Sequence, residues 1–102
     1  MKSYTAEKAF LAFDLLGRSE LPPAERLANA WVNHLHHAQV HETSDDVKEV
    51  LAKLSEFFQR VPNKELGSAV ASARQFDAED IGKVSELMAS LIFRALDEER
   101  KL

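Results

Sequence analysis

Four histidines fall within eight residues, His34-Leu35-His36-His37-Ala38-Gln39-Val40-His41, and they are the side chains best suited to chemistry in this chain. On one continuous helix, His34, His37 and His41 would be spaced i, i+3 and i+7. With His34 as reference, His37 is then rotated by about −60° and His41 by about −20°, so three imidazoles share one narrow face. Neutral imidazole binds zinc, copper, nickel or iron, and a helix holds ligands at fixed separation. His34, His37 and His41 are therefore the candidate metal ligands. Glu42 and Asp45 follow closely enough to add a carboxylate, while His36 points away from the shared face.

The surrounding residues limit what such a site could do. Ala38, Gln39 and Val40 stand between His37 and His41, so the general base of a His-Glu-x-x-His metalloprotease pattern is missing. No Glu-x-x-His pairs exist to build a carboxylate-bridged di-iron bundle. The competing reading is packing: His34 borders the apolar stripe Leu27-Trp31-Leu35-Ala38, where an imidazole can bury its body and keep its polar tip wet. A third reading is a protonation switch, because clustered histidines repel one another once charged below about pH 6.5.

Other catalytic constellations are absent from the sequence. The chain has no cysteine, which removes disulfides, thiolate metal sites and cysteine nucleophiles. Its serines lie in helix-cap or helix-face contexts without a nucleophile-elbow pattern. Gly17, Gly67 and Gly82 are isolated, so no glycine-rich phosphate loop forms. The acidic trio Asp77, Glu79 and Asp80 reads as a helix N-terminus. No catalytic residue and no cofactor is expected, and the chain reads as a non-enzyme.

The elements that position these residues are helical throughout. No segment alternates apolar and polar residues as a half-buried strand would. The first helix is expected over about Thr5–Leu16 with Gly17 as its C-terminal cap. The second starts near Pro22-Pro23, where proline suits a first turn, and continues to His41-Glu42. The third carries Val47, Val50, Leu51, Leu54, Phe57, Phe58 and Val61 at intervals of three or four and stops at Pro62. A short fourth helix, capped by Asn63, would bury Leu66, Ala69, Val70 and Ala73. The fifth runs from about Ala78 to Glu99 behind the cap residue Asp77. With short connections, these make an all-α, compact four- to five-helix bundle, a single helical domain over residues 1–102.

Length and charge agree with that class. The 102 residues carry a net charge of −4, with 45% hydrophobic and 29% charged residues. Lys and Arg are scattered, without the basic stripe on which nucleic-acid affinity depends. A helix-turn-helix reading around Pro62-Asn63 fails for the same reason: the fourth helix offers small apolar residues rather than several basic ones. No stretch reaches transmembrane length, and Asp14 interrupts the N-terminal apolar run, which makes it a poor signal peptide. A cytoplasmic protein is expected, with no direct nucleic-acid or membrane partner.

The most informative feature is surplus apolar surface. Apolar residues cover most of the first helix's circumference and more than half of the last helix's, which is wider than one core-facing stripe. Leu11, Leu15, Leu87, Ile92, Phe93 and Leu96 are the candidates to stay outside the core, with Asp97, Glu98 and Glu99 available for charge complementarity. Hiding a few hundred Å² more of apolar surface is worth several kcal/mol at ~25 cal/mol per Å². The expectation is a protein–protein interaction module, a small regulator, adaptor or inhibitor that binds and occludes a protein partner, with homodimerisation through the terminal helices as the first form of association. The alternative is a metal-binding bundle using the histidine cluster, and the opposing case is a monomer that pairs its first and last helices internally.

Overall fold

The computed structural model describes residues 3–39 and 44–101. Among the described residues five α-helices follow one another: α1 (Tyr4–Arg18), α2 (Pro23–Asn33), α3 (Asp45–Phe58), α4 (Ser68–Ala73) and α5 (Ala78–Lys101). A 3-10 turn, Leu35–Ala38, sits between α2 and α3. The described residues contain no strand, and the all-α bundle expected from the sequence is what forms.

Each helix boundary has a local cause. Ser3 caps α1, its Oγ accepting the Ala6 N–H at 3.2 Å. Gly17 lies inside α1 rather than at its cap, because the Ser19 N–H still reaches the Leu15 carbonyl at 2.9 Å. The chain then turns extended ahead of Pro22 and Pro23, and α2 starts with proline in its first turn. At the start of α5, Asp77 and Asp80 cap each other: the Asp80 N–H donates to Asp77 Oδ1 at 2.8 Å, and the Asp77 N–H donates to Asp80 Oδ2 at 3.2 Å. This is a capping box with aspartate in place of the usual glutamate.

Helix α3 ends at Phe58, short of the Val61 expected before Pro62, and two further boundaries differ more from the sequence reading. Helix α2 ends at Asn33, not near His41. His34 breaks it with φ −131° and ψ −64°, and the tighter 3-10 turn then places Leu35 and Ala38 on one face, both fully buried. Asn and His are weak helix formers, so burial of these two apolar side chains decides the backbone. Helix α4 starts at Ser68 rather than near Asn63. Asn63 instead closes a turn, its Oδ1 accepting the Glu65 and Leu66 N–H groups at 2.9 and 2.8 Å, and Gly67 enters α4 at φ 87°.

The main core lies between α2, α3, α4 and α5. Leu51, Leu54, Phe58, Val84, Met88 and Leu91 are all buried there, together with Trp31, whose indole stacks on the Phe58 ring at 5.5 Å. Phe76 closes the end of this core against Phe57 and Phe58. Arg60 fastens α3 to α5: its guanidinium lies over the Phe57 ring at 4.4 Å and pairs with Asp80 at 3.0 Å. Ser72, fully buried on α4, accepts the Val61 N–H at 2.9 Å and so ties the loop after α3 to α4.

Helices α1 and α5 run antiparallel. The Ser3 N–H donates to Glu99 Oε2 at 2.7 Å at one end, and Ala9 packs with Ile92 and Ala95 in a second small apolar cluster. Small residues on α1 (Ala6, Ala9 and Ala12 are all fully buried) let the two rods approach closely. At 1.5 Å per residue, 24-residue α5 extends ~36 Å, nearly the 38 Å long dimension of the molecule.

An apolar groove between the terminal helices

The close α1–α5 contact uses up the alanine face of α1 and leaves its phenylalanines outside. Phe10 is 51% exposed and Phe13 63%, while on α5 Phe93 is 77% exposed and Leu96 38%. These side chains line a groove of about 650 Å³ whose floor includes Leu16, Leu27, Met88 and Ile92. Gly17, Ser85 and Ala89 line it with small side chains, and the first turns of α2 contribute Pro23 and Arg26.

Among the described residues, Arg26 is the one charged side chain lining the groove. Its Nε donates to the Leu21 carbonyl at 3.1 Å, which holds the side chain against the α1–α2 connection, and no carboxylate pairs with it among the described residues. Apart from Ser85 the rest of the lining is apolar, so any group brought against Arg26 must either offer it an acceptor or leave it unsatisfied.

Several residues expected at an interface line this groove, and others do not. Ile92, Phe93 and Leu96 do. Leu11 and Leu15 are half-buried, and Leu15 packs on the main core. Leu87 is half-buried too; it packs on the core and lines a shallower depression of about 370 Å³ between α3 and α5. Asp97 pairs with Arg100 at 2.7 Å and Lys101 at 3.3 Å, and these bonds and charges hold its carboxyl below the usual carboxylate range, Lys101 contributing most. Glu98 is exposed and lies 4.0 Å from Lys101, and Glu99 holds the start of α1. Phe10, Phe13 and the α2 wall are not among the residues expected at the interface. The one available signal was that Phe10, Phe13 and Gly17 recur at intervals of three and four on a helix whose alanines form a separate stripe.

The histidines occupy a different part of the molecule, and the shared face drawn for His34, His37 and His41 presumed a helix that has already ended. His34 sits at the break and His37 in the 3-10 turn, while His41, like Glu42, lies outside the described residues. The rings that do approach are His36 and His37, with centroids 4.1 Å apart and planes tilted by 42°. His36 also lies 6.1 Å from the Trp31 ring. Among the described residues, no three His, Cys, Asp or Glu side chains are grouped to hold a metal ion.

His34 is half-buried at the end of α2. Its Nδ1 is buried without a hydrogen-bond partner among the described residues. Burial lowers its pKa below the ordinary histidine value, helped by the positive charge of Lys8 and then by His37. Burial also lowers the pKa of His36, with His37 adding to it.

No helix among the described residues is long and apolar enough to cross a membrane. Compared with protein-family models, with curated proteins and with solved structures, the chain gives no significant match to any of them.

Proposed function

We propose that this chain is a non-enzymatic protein-interaction module, a small regulator, adaptor or inhibitor that acts by docking against a protein through the groove between α1, α2 and α5. The observation that carries the reading is the exposure of three phenylalanines, Phe10, Phe13 and Phe93, around one concave apolar surface. Taking roughly 200 Å² per aromatic side chain, these rings leave about 400 Å² of apolar surface in water, within the ~300–600 Å² of the largest patch on a typical monomer, a patch that is often functional. Exposed aromatics beside a pocket are the typical anchors of binding energy, and the groove resembles the apolar slots that receive an amphipathic helix.

The test is comparative capture. The wild-type chain and the Phe13→Asp/Phe93→Asp variant, matched by circular dichroism, are used as bait in the native source, and each captured protein is then titrated as a purified pair. The reading expects at least about tenfold weaker binding for the variant, or 1.4 kcal/mol. A partner held equally by both baits overturns it.

A further inference from the structure

We infer that the groove between α1, α2 and α5 binds a medium-chain fatty acid, with its carboxylate at Arg26 and Ser85 and its alkyl chain running along α5 toward Phe10 and Leu96. The inference shares the groove with the docking reading but not its partner, so either can fail alone.

The two ends of the groove differ in chemistry. Ser3 meets Glu99, and Ala9 meets Ile92 and Ala95, so the antiparallel register sets Gly17 opposite Ser85 and Phe10 beside Phe93. Gly17 and Ser85 therefore mark the end where α1 leads into α2. Arg26, held on the Leu21 carbonyl of that connection, stands at the same end. Among the described residues, Arg26 and Ser85 are the charged and hydroxyl-bearing members of the lining, and both are gathered here. Phe10, Phe93 and Leu96 make the far end apolar. A lining with a few polar groups at one end and apolar walls elsewhere orients a ligand built the same way.

Shape narrows the choice. From Ser85 to Leu96, α5 rises ~16 Å at 1.5 Å per residue. Spread along that length, the groove's volume of about 650 Å³ gives a cross-section of ~40 Å², or ~7 Å across. A helix with its side chains is ~10–12 Å across, so only side chains of a docked helix would enter. A single extended alkyl chain lies in such a channel whole. With C–C bonds of ~1.5 Å in zigzag, each carbon advances ~1.3 Å, and about 12 carbons span the groove. Near the polar end the channel is open, because Ser85 and Ala89 are short and a Cβ added at Gly17 would meet nothing within 4 Å.

Charge fixes the head group. Arg26 is half-buried, its Nε is spent on the Leu21 carbonyl, and it has no ion pair among the described residues. That leaves its two terminal nitrogens to meet the two oxygens of a carboxylate, the fork geometry for which arginine is suited. One guanidinium balances one carboxylate. A phosphate monoester carries close to two negative charges and would leave the surplus desolvated against apolar walls, on a chain whose net charge is already −4. A cationic amphiphile would be repelled by the same arginine.

Isothermal titration calorimetry of the full chain with saturated fatty acids, kept below the concentration at which they aggregate, tests this with circular dichroism as the fold control. Dodecanoate is expected to bind one-to-one. Affinity should fall about tenfold for decanoate and about tenfold again for octanoate, as each lost pair of methylenes covers less apolar surface. It should level off between tetradecanoate and hexadecanoate, where the groove has ended. Arg26→Gln should weaken dodecanoate at least about tenfold and leave dodecanol, which has the chain without the charge, within about twofold. Ala89→Phe, which fills the channel from an exposed position, should weaken dodecanoate and dodecanol together. Absence of saturable dodecanoate binding overturns the inference. So does an affinity that keeps climbing with chain length and ignores Ala89→Phe, because that is adsorption outside the groove. An Arg26→Gln loss shared equally by dodecanol overturns the carboxylate position. The docking reading is judged separately, by whether a protein partner is lost with Phe13→Asp/Phe93→Asp.

Discussion

Ile92 and Phe93 are adjacent on α5 and opposite in burial: Ile92 is 8% exposed against Ala9 and Ala95, while Phe93 is 77% exposed at the groove. Monomer stability and the exposed wall of the groove therefore rest chiefly on different residues of one helix. Replacing Leu91, fully buried in the main core, by Ala is expected to cost about 2–5 kcal/mol through lost transfer energy and the cavity left behind. Phe93→Gln should change the stability of the monomer by no more than about 0.5 kcal/mol. Urea denaturation at low protein concentration separates the two, and a Phe93→Gln loss as large as that of Leu91→Ala would contradict the assignment.

The glycines divide in the same way. Gly17 and Gly82 lie within helices with nothing within 4 Å of an added Cβ, so alanine at either should stabilise by up to about 1 kcal/mol. Gly67, at φ 87° and ψ 143°, occupies backbone space that other residues rarely enter, and Gly67→Ala should cost about 1–3 kcal/mol. Thermal unfolding of the three variants gives the signs directly; a stabilising Gly67→Ala would refute the loop geometry.

The Val61–Ser72 bond is the link between the loop after α3 and short α4. Ser72→Ala removes the hydroxyl that accepts the Val61 N–H and should destabilise by about 1–3 kcal/mol. A six-residue helix has little stability of its own, so the loss should appear first as faster amide exchange in α4. Unchanged exchange there would show that the hydroxyl is dispensable.

Acid should weaken the fold through His34. Its pKa is lowered in the folded state, chiefly by burial, so the unfolded chain binds more protons as pH falls below about 6.5. Stability contributed by the neutral ring is complete above that pH and is lost progressively as the pH drops toward the lowered folded value. His34→Gln should flatten this part of the stability profile, as measured by urea midpoints between neutral and mildly acidic pH. An unchanged slope would assign the effect elsewhere, with His36 the next residue to test because its pKa shifts in the same direction.

Much of the fold was legible because periodicity and burial agreed. Val47, Val50, Leu51, Leu54 and Phe58 recur at helical intervals and all point into the core. The stretch after Asn33 misled because Leu35 and Ala38, three residues apart, satisfy an α-helix and a 3-10 turn equally well; only the burial of both selects the tighter turn. The surplus of apolar surface on the terminal helices was legible as a quantity, but its location was not. Which side of α1 stays bare depends on its rotation against α5. The close approach of Ala9 to Ile92 and Ala95 sets that rotation, leaving Leu11 half-buried and Phe10 and Phe13 exposed. Arg26 could not be placed without knowing that α2 forms the third wall.

Site-specific photo-crosslinking tests the docking surface most directly. A photoreactive phenylalanine analogue is placed at Phe93 and, as a control, at exposed Ala52 on α3, and both proteins are irradiated in the native source. A discrete protein adduct, whether a second copy or another chain, formed from position 93 and not from position 52 is the predicted result. No adduct at either position, or equal adducts from both, would contradict the claim that this groove is where the chain meets its partner.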